Sequence, residues 1–326
     1  SLIATRQSHS DSASRIVLKL ELRMSMRSCT ASMCWVVLCV PLGIAARGAV
    51  ARAELRWFDS AGVQIAYLEQ GVGEPVVLLH GFSLSAAEMW TRLPWAPTSV
   101  LAALAEEHRV IAPDLRGHGA SDKPLDPGHY GVAMADDVIR LLDHLGVQRA
   151  HIVGYSMGAT IAGELLVSHP ERLLSVTFGG GGPLVRPSPV VIATMESTAE
   201  SLERGLGMVP LVMALTPPDR PRPSPLEAGL VSRMMLAGKD QLALAAVMRG
   251  LQQLEVDEAK LSACTTPVAF AYGGREAATK VEMIAIAIDL LSHAEVTVIP
   301  GRDHLTTVGS PSFLAAIRKN VRAQRP

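Results

Sequence analysis

A chain of 326 residues with 48% hydrophobic content carries enough apolar material for a sizeable core, as one large domain or two small ones. Thirty Lys and Arg against 31 Asp and Glu leave a formal charge of −1, and no basic stripe runs along the chain. That excludes the electrostatic footprint of a nucleic-acid binder. Aromatic residues make up only 4%, so aliphatic side chains and methionines must fill the interior.

Residues 1–53 read as a leader. Arg27 precedes an apolar run from Met33 to Val40, and small residues follow to two A-x-A-like sites ending at Ala51 and Ala53. This is the order of a secretory signal, and the run falls short of the ~20 residues that span a bilayer. The expectation is export, periplasmic or secreted, after cleavage near Ala51 or Ala53, with no stable membrane span. A cytoplasmic protein is the alternative if the leader is not functional. Cleavage would leave Cys264 as the one cysteine, so no internal disulfide would support the fold.

From residue 54 the elements follow in order. Leu55–Phe58 and Val63–Leu68 alternate as half-exposed strands, joined by a turn at Asp59–Gly62. Pro75–Leu79 is apolar throughout, as a buried central strand would be, and runs into His80-Gly81-Phe82-Ser83. A helix is expected over Val100–Glu107, a strand at Arg109–Ala112, a loop at Pro113–Pro124 and a helix over Met134–Leu145. The apolar strand Ala150–Val153 then meets Gly154-Tyr155-Ser156-Met157-Gly158, and an apolar-faced helix begins at Ala159. Leu173–Phe178 is another strand. From Pro183 to Thr265 the rhythm breaks into helical stretches with six methionines and clustered prolines. Strands at Val268–Tyr272 and Val296–Ile299 resume it, with helices over Val281–Ser292 and Ser312–Ala323. Alternating apolar strands and helices call for α/β architecture, a mostly parallel sheet covered on both faces.

G-x-S-x-G between a strand and a helix presents a serine hydroxyl on a sharp turn, with glycines where the backbone must come close. Such a serine needs a base within hydrogen-bond reach and an acid to orient that base. Among ten histidines, His304 directly follows the last strand, while His80 precedes the serine and His118 sits in a loop where packing and local hydrogen bonds are the better explanation. In this arrangement the acid ends a strand between serine and histidine. Glu276 is the carboxylate of the loop after Tyr272, and Asp303, adjacent to the histidine, is its rival. Two backbone N–H groups must receive an oxyanion. Met157 supplies one as the residue after the serine, and Phe82 the other by its place after the third strand. Asp114 and Arg116 lie at the wrong point in the order and read as structural.

The segments His80-Gly81-Phe82, Asp114 to Asp122, Gly154 to Gly158 and Gly301-Arg302-Asp303-His304 together resemble the α/β-hydrolase superfamily, serine esterase or lipase-like, over residues 54–326 apart from the insertion. The resemblance implies an α/β-hydrolase fold, a doubly wound sheet with core segments 54–182 and 266–326 and a helical cap at 183–265. It implies a triad of Ser156, Glu276 and His304, with Phe82 and Met157 as oxyanion donors. Many relatives carry aspartate where Glu276 stands. Serine at the elbow speaks against the epoxide-hydrolase and haloalkane-dehalogenase branches, which use aspartate. The expected activity is cleavage of a small-molecule carboxylic ester without cofactor or metal. C–C bond or lactone hydrolysis by the same residues, or low-turnover ligand binding, are the alternatives.

Overall fold

The computed structural model describes residues 53–91 and 99–323. The apolar run and the cleavage sites of the expected leader lie outside them, Ala53 excepted. Among the described residues no helix is long and apolar enough to cross a membrane.

The strands are β1 (Glu54–Ser60), β2 (Val63–Gln70), β3 (Pro75–Leu79), β4 (Arg109–Pro113), β5 (Ala150–Tyr155), β6 (Leu173–Gly179), β7 (Val268–Gly273) and β8 (Glu295–Ile299). They form one sheet in the order β1-β2-β4-β3-β5-β6-β7-β8. β1 and β2 pair antiparallel, β2 lies antiparallel to β4, and every pairing from β4 to β8 is parallel.

β3 shows how a central strand comes to be apolar at every position. Val77 and Leu79 face one core, shared with α3 (Val132–His144), α4 (Met157–Ser168) and α10 (Ala278–Leu290). Val76 and Leu78 face the other, built with α1 (Ala86–Trp90), α2 (Val100–Leu104) and α11 (Pro311–Arg322). Side chains alternate across a strand, so a sheet covered on both faces buries both sets, and a polar side chain there needs a partner, as His151 of β5 and Ser175 of β6 find in each other at 2.8 Å.

Local chemistry explains where the structure departs from the sequence reading. The first turn tightens to Ala61-Gly62, both at positive φ (55° and 87°), the twist that suits a two-residue hairpin. Helix α1 was not anticipated, although Ser85 and Glu88 form a full capping box. Helix α2 ends at Leu104, earlier than expected. The N–H groups of Glu107 and His108 both turn back to the Leu104 carbonyl, and Arg109 N–H pairs with Glu74 to begin β4.

Between β6 and β7 lie α5 (Pro189–Glu203), α6 (Val209–Ala214), α7 (Pro225–Met235), α8 (Gln241–Gly250) and α9 (Glu258–Ser262). Leu202, Met208, Leu236, Leu244 and Ala245 form a small core of their own, against which Phe82 and Leu211 pack. The later part behaves differently: Val247, Met248, Leu251, Leu254 and Leu261 belong to the main core. Of the six methionines, Met208 and Met248 are therefore core filler, whereas Met234 is exposed.

One buried ion pair fixes the rim of the sheet. Arg116 meets Asp137 of α3 with two bonds of 2.6 and 2.5 Å, and Ser60 at the end of β1 donates to the same carboxylate. Both side chains are almost wholly buried. Removing one partner strands the other charge, so Asp137→Ala should cost about 3–5 kcal/mol in urea denaturation. The double change Arg116→Met with Asp137→Leu should recover most of that. A single-variant loss under about 1 kcal/mol would contradict this account.

Candidate active site

Ser156 sits at the junction of β5 and α4 with φ 54° and ψ −110°, a conformation that side-chain-bearing residues seldom adopt. Close packing enforces it. A Cβ added at Gly158 would lie 2.2 Å from the Leu79 carbonyl oxygen, and one at Gly154 2.2 Å from the Gly158 carbonyl oxygen. Only glycine lets α4 start this close to β3. Ser156 N–H donates to the Gly179 carbonyl at 2.9 Å, which fixes the turn against β6.

His304 stands after β8 and Glu276 after β7, and the two loops continue the strand pairing. Gly274 N–H donates to Ile299 at 2.8 Å and Arg275 N–H to Arg302 at 2.9 Å. Tyr155 Oη donates to the His304 carbonyl at 2.6 Å, which ties this loop to the residue before the serine. The result is a connected line. His304 Nε2 lies 2.9 Å from Ser156 Oγ, and His304 Nδ1 lies 3.0 Å from Glu276 Oε2. A carboxylate only accepts, so Nδ1 carries the hydrogen and Nε2 is free to accept from the serine hydroxyl. His304 and Glu276 are buried, and Ser156 is partly exposed. A neutral imidazole so held can take a proton from Ser156 and then stand as a cation beside the carboxylate.

Asp303 is engaged elsewhere. Its carboxylate accepts from Thr306 N–H and Oγ1 at 3.0 and 2.7 Å. Burial opposes its ionisation, but the Thr306 hydrogen bonds outweigh that and hold it below the usual carboxylate range.

Met157 opens α4, where the first N–H groups have no partner within the helix. Gly81, next to Phe82, approaches the same turn: a Cβ on it would be 3.5 Å from the Ser156 side chain. Among the described residues neither the Phe82 nor the Met157 N–H meets an acceptor.

The other histidines near the site are neutral supports. Leu115 N–H donates to His80 Nε2 at 3.0 Å, so His80 Nδ1 donates to the Gly81 carbonyl at 2.9 Å. Burial lowers His80 to a pKa of about 4. His118, packed 5.1 Å from the His80 ring, is lowered to about 3 by burial and by that neighbour. Asp114 accepts from the N–H groups of Ala86 and Ala120 at 2.7 and 2.8 Å and so joins α1 to its own loop.

A family model described as alpha/beta hydrolase fold matches residues 74–215. The dihydrolipoyllysine-residue acetyltransferase component of the acetoin cleaving system of Cupriavidus necator is 34% identical over 190 residues, 57% of this chain and 44% of that protein. The chain spans less than half the length of the first curated relatives it matches. Among solved structures, a thermophilic esterase from Thermogutta terrifontis aligns with a TM-score of 0.68 at 26% identity, covering 85% of this chain and all of that one. An N-acyl homoserine lactone degrading enzyme aligns with a TM-score of 0.63 at 26% identity over 81% of this chain and 99% of that one.

Two outcomes follow from this geometry. Ser156→Gly should be more stable than Ser156→Ala by about 1 kcal/mol in thermal unfolding, because both lose the hydroxyl but only glycine relieves the backbone strain. Equal melting points would show that the turn stores no strain. In the unfolded chain His80 and His118 titrate near the ordinary value of about 6.5. The unfolded state therefore binds protons that the folded state refuses between about pH 6.5 and 4. Their contribution is intact above pH 6.5 and falls as the pH drops through that window, by roughly 3 kcal/mol per histidine. Urea midpoints at pH 7, 5.5 and 4.5 measure this, and His118→Gln should flatten the profile. An unchanged slope in that variant would exclude His118 as a source.

Proposed function

Because the chain belongs to the α/β-hydrolase superfamily, we propose that it hydrolyses carboxylic esters through an acyl-enzyme formed on Ser156. The observation that carries the reading is the imidazole of His304, set between Ser156 Oγ at 2.9 Å and Glu276 at 3.0 Å. Ser156 Oγ attacks the ester carbonyl as His304 Nε2 takes its proton. The tetrahedral oxyanion forms beside the backbone N–H groups of Phe82 and Met157, each such donor being worth about 3–4 kcal/mol. His304 returns the proton to the departing alcohol. Water then enters by the same route and attacks the acyl carbonyl as His304 takes its proton; the acyl–Oγ bond breaks, the acid leaves, and His304 returns the proton to Ser156 Oγ. Glu276 holds the imidazole in the Nδ1–H tautomer and balances its charge in both halves. The segment at 183–265 serves as the cap over the acyl and alcohol parts, and Phe82 packs against its core.

Lactone hydrolysis is the second reading, favoured by the 26% identity to the N-acyl homoserine lactone degrading enzyme. It uses the same steps with alcohol and acid in one product.

Hydrolysis of p-nitrophenyl esters from acetate to palmitate tests the first reading. Activity should peak at one chain length, fall by about 10⁴–10⁶ in Ser156→Ala and by about 10⁴ in Glu276→Gln. If the wild type spares every ester yet a fluorophosphonate labels Ser156, the site is competent and the substrate is of another class, lactones being next. The absence of both turnover and labelling would overturn the hydrolase reading in favour of ligand binding.

A further inference from the structure

Among the described residues, three ion pairs join the segment between β6 and β7 to the rest of the protein, and each of the three charged groups that this segment supplies reaches a residue next to the site. Asp219 meets Arg275, next to Glu276, at 2.7 Å; Arg220 meets Asp303, next to His304, at 3.8 Å. Lys239, in the turn between α7 and α8, meets Glu88 at 3.0 Å and also donates to the carbonyl oxygen of Ser83, the residue after Phe82.

The three differ in weight. The side chains of Asp219 and Arg220 are 53% and 56% exposed, and such surface pairs contribute little. Lys239 is 20% exposed and binds a main-chain oxygen as well as a carboxylate. Its target is an unusual piece of backbone. Ser83 has φ +63° without being glycine, is 1% exposed, and its hydroxyl has no hydrogen-bond partner. Nothing on the serine side chain offsets the strain of that turn. Glu88 accepts from Ser85 N–H at 2.8 Å, so Lys239 grips the turn at Ser83 and, through Glu88, at the start of α1. Phe82 lies between those grips and β3, and a Cβ on its neighbour Gly81 would stand 3.5 Å from the Ser156 side chain.

We propose that Lys239 is a positioning residue that holds the Phe82 N–H in the oxyanion pocket, so that the inserted segment completes that pocket from outside the core. The proposal rests on the ester-hydrolase reading for its kinetic consequence but not for its structural one. Loss of the grip lets the Ser83 turn relax, which moves a transition-state donor and leaves the substrate pocket in place. The effect therefore belongs in kcat rather than KM.

The test compares wild type with Lys239→Met, Lys239→Arg, Glu88→Gln and Asp219→Ala, by p-nitrophenyl ester kinetics and by amide hydrogen exchange over residues 81–86. Lys239→Met should lower kcat by about tenfold or more, with KM within about threefold, and speed exchange at Phe82–Ser85 by a similar factor. Lys239→Arg should regain most of kcat, and Asp219→Ala should stay within about twofold of wild type. If Lys239→Met does not fold, Glu88→Gln must show the same pattern in weaker form. A wild-type kcat in Lys239→Met, or a change confined to KM, would overturn the proposal. If wild type cleaves no ester, the ester reading falls and exchange decides alone: unchanged rates at Phe82–Ser85 in a folded variant would then refute the positioning role.

Discussion

The start of α4 can lie against the end of β3 only because no Cβ stands between Gly158 and the Leu79 carbonyl. From that contact the rest of the site follows. It forces Ser156 into its strained conformation, turns the hydroxyl out of the sheet, and brings the first N–H groups of α4 beside the turn that carries Phe82. Strain of this kind persists only where the surroundings over-determine it. Here the bond from Ser156 N–H to Gly179 and the fully buried β5 supply that rigidity.

His304 and Glu276 are placed by a different device. β7 and β8 are parallel neighbours, and their pairing continues past the strand ends through Gly274 and Arg275. Two loops 28 residues apart in sequence are thereby fastened together before either reaches the serine. Tyr155 then joins the pair to β5, with a ring buried deeply enough to hold its hydroxyl well above the ordinary phenol range, as burial disfavours the phenolate. The phenol remains a donor, as the His304 carbonyl requires.

Much of this was legible in the sequence because the relevant signals are local. The apolar runs of β3 and β5 report burial on two faces, and G-x-S-x-G reports a turn too tight for side chains. His304 and Glu276 each follow the end of an apolar run, and the structure sets His304 against Ser156 and Glu276 against His304. What was not legible depends on contacts between distant positions. Tyr155 occupies the free position of its motif, and its function lies in an oxygen 149 residues away. Lys239 occupies an ordinary surface turn, and nothing in its neighbours points to Ser83. Helix α1 was missed for a simpler reason: its capping box was present at Ser85 and Glu88, but five residues are too few to show a period.

The division within the inserted segment bears on how such a protein can diversify. Leu202, Met208 and Leu236 form a small core with Leu244 and Ala245 of α8, against which Phe82 packs, whereas Val247, Leu251, Leu254 and Leu261 help to build the main one. The exchangeable module is thus shorter than the gap between β6 and β7. Recombination that replaced α5 to α7 would leave most of the main core in place, Ala199 excepted, but would have to supply new partners for Leu244 and Ala245. A crossover placed after α8 would instead remove wall from the domain itself, so lineages of this architecture should vary in the first part and keep the second.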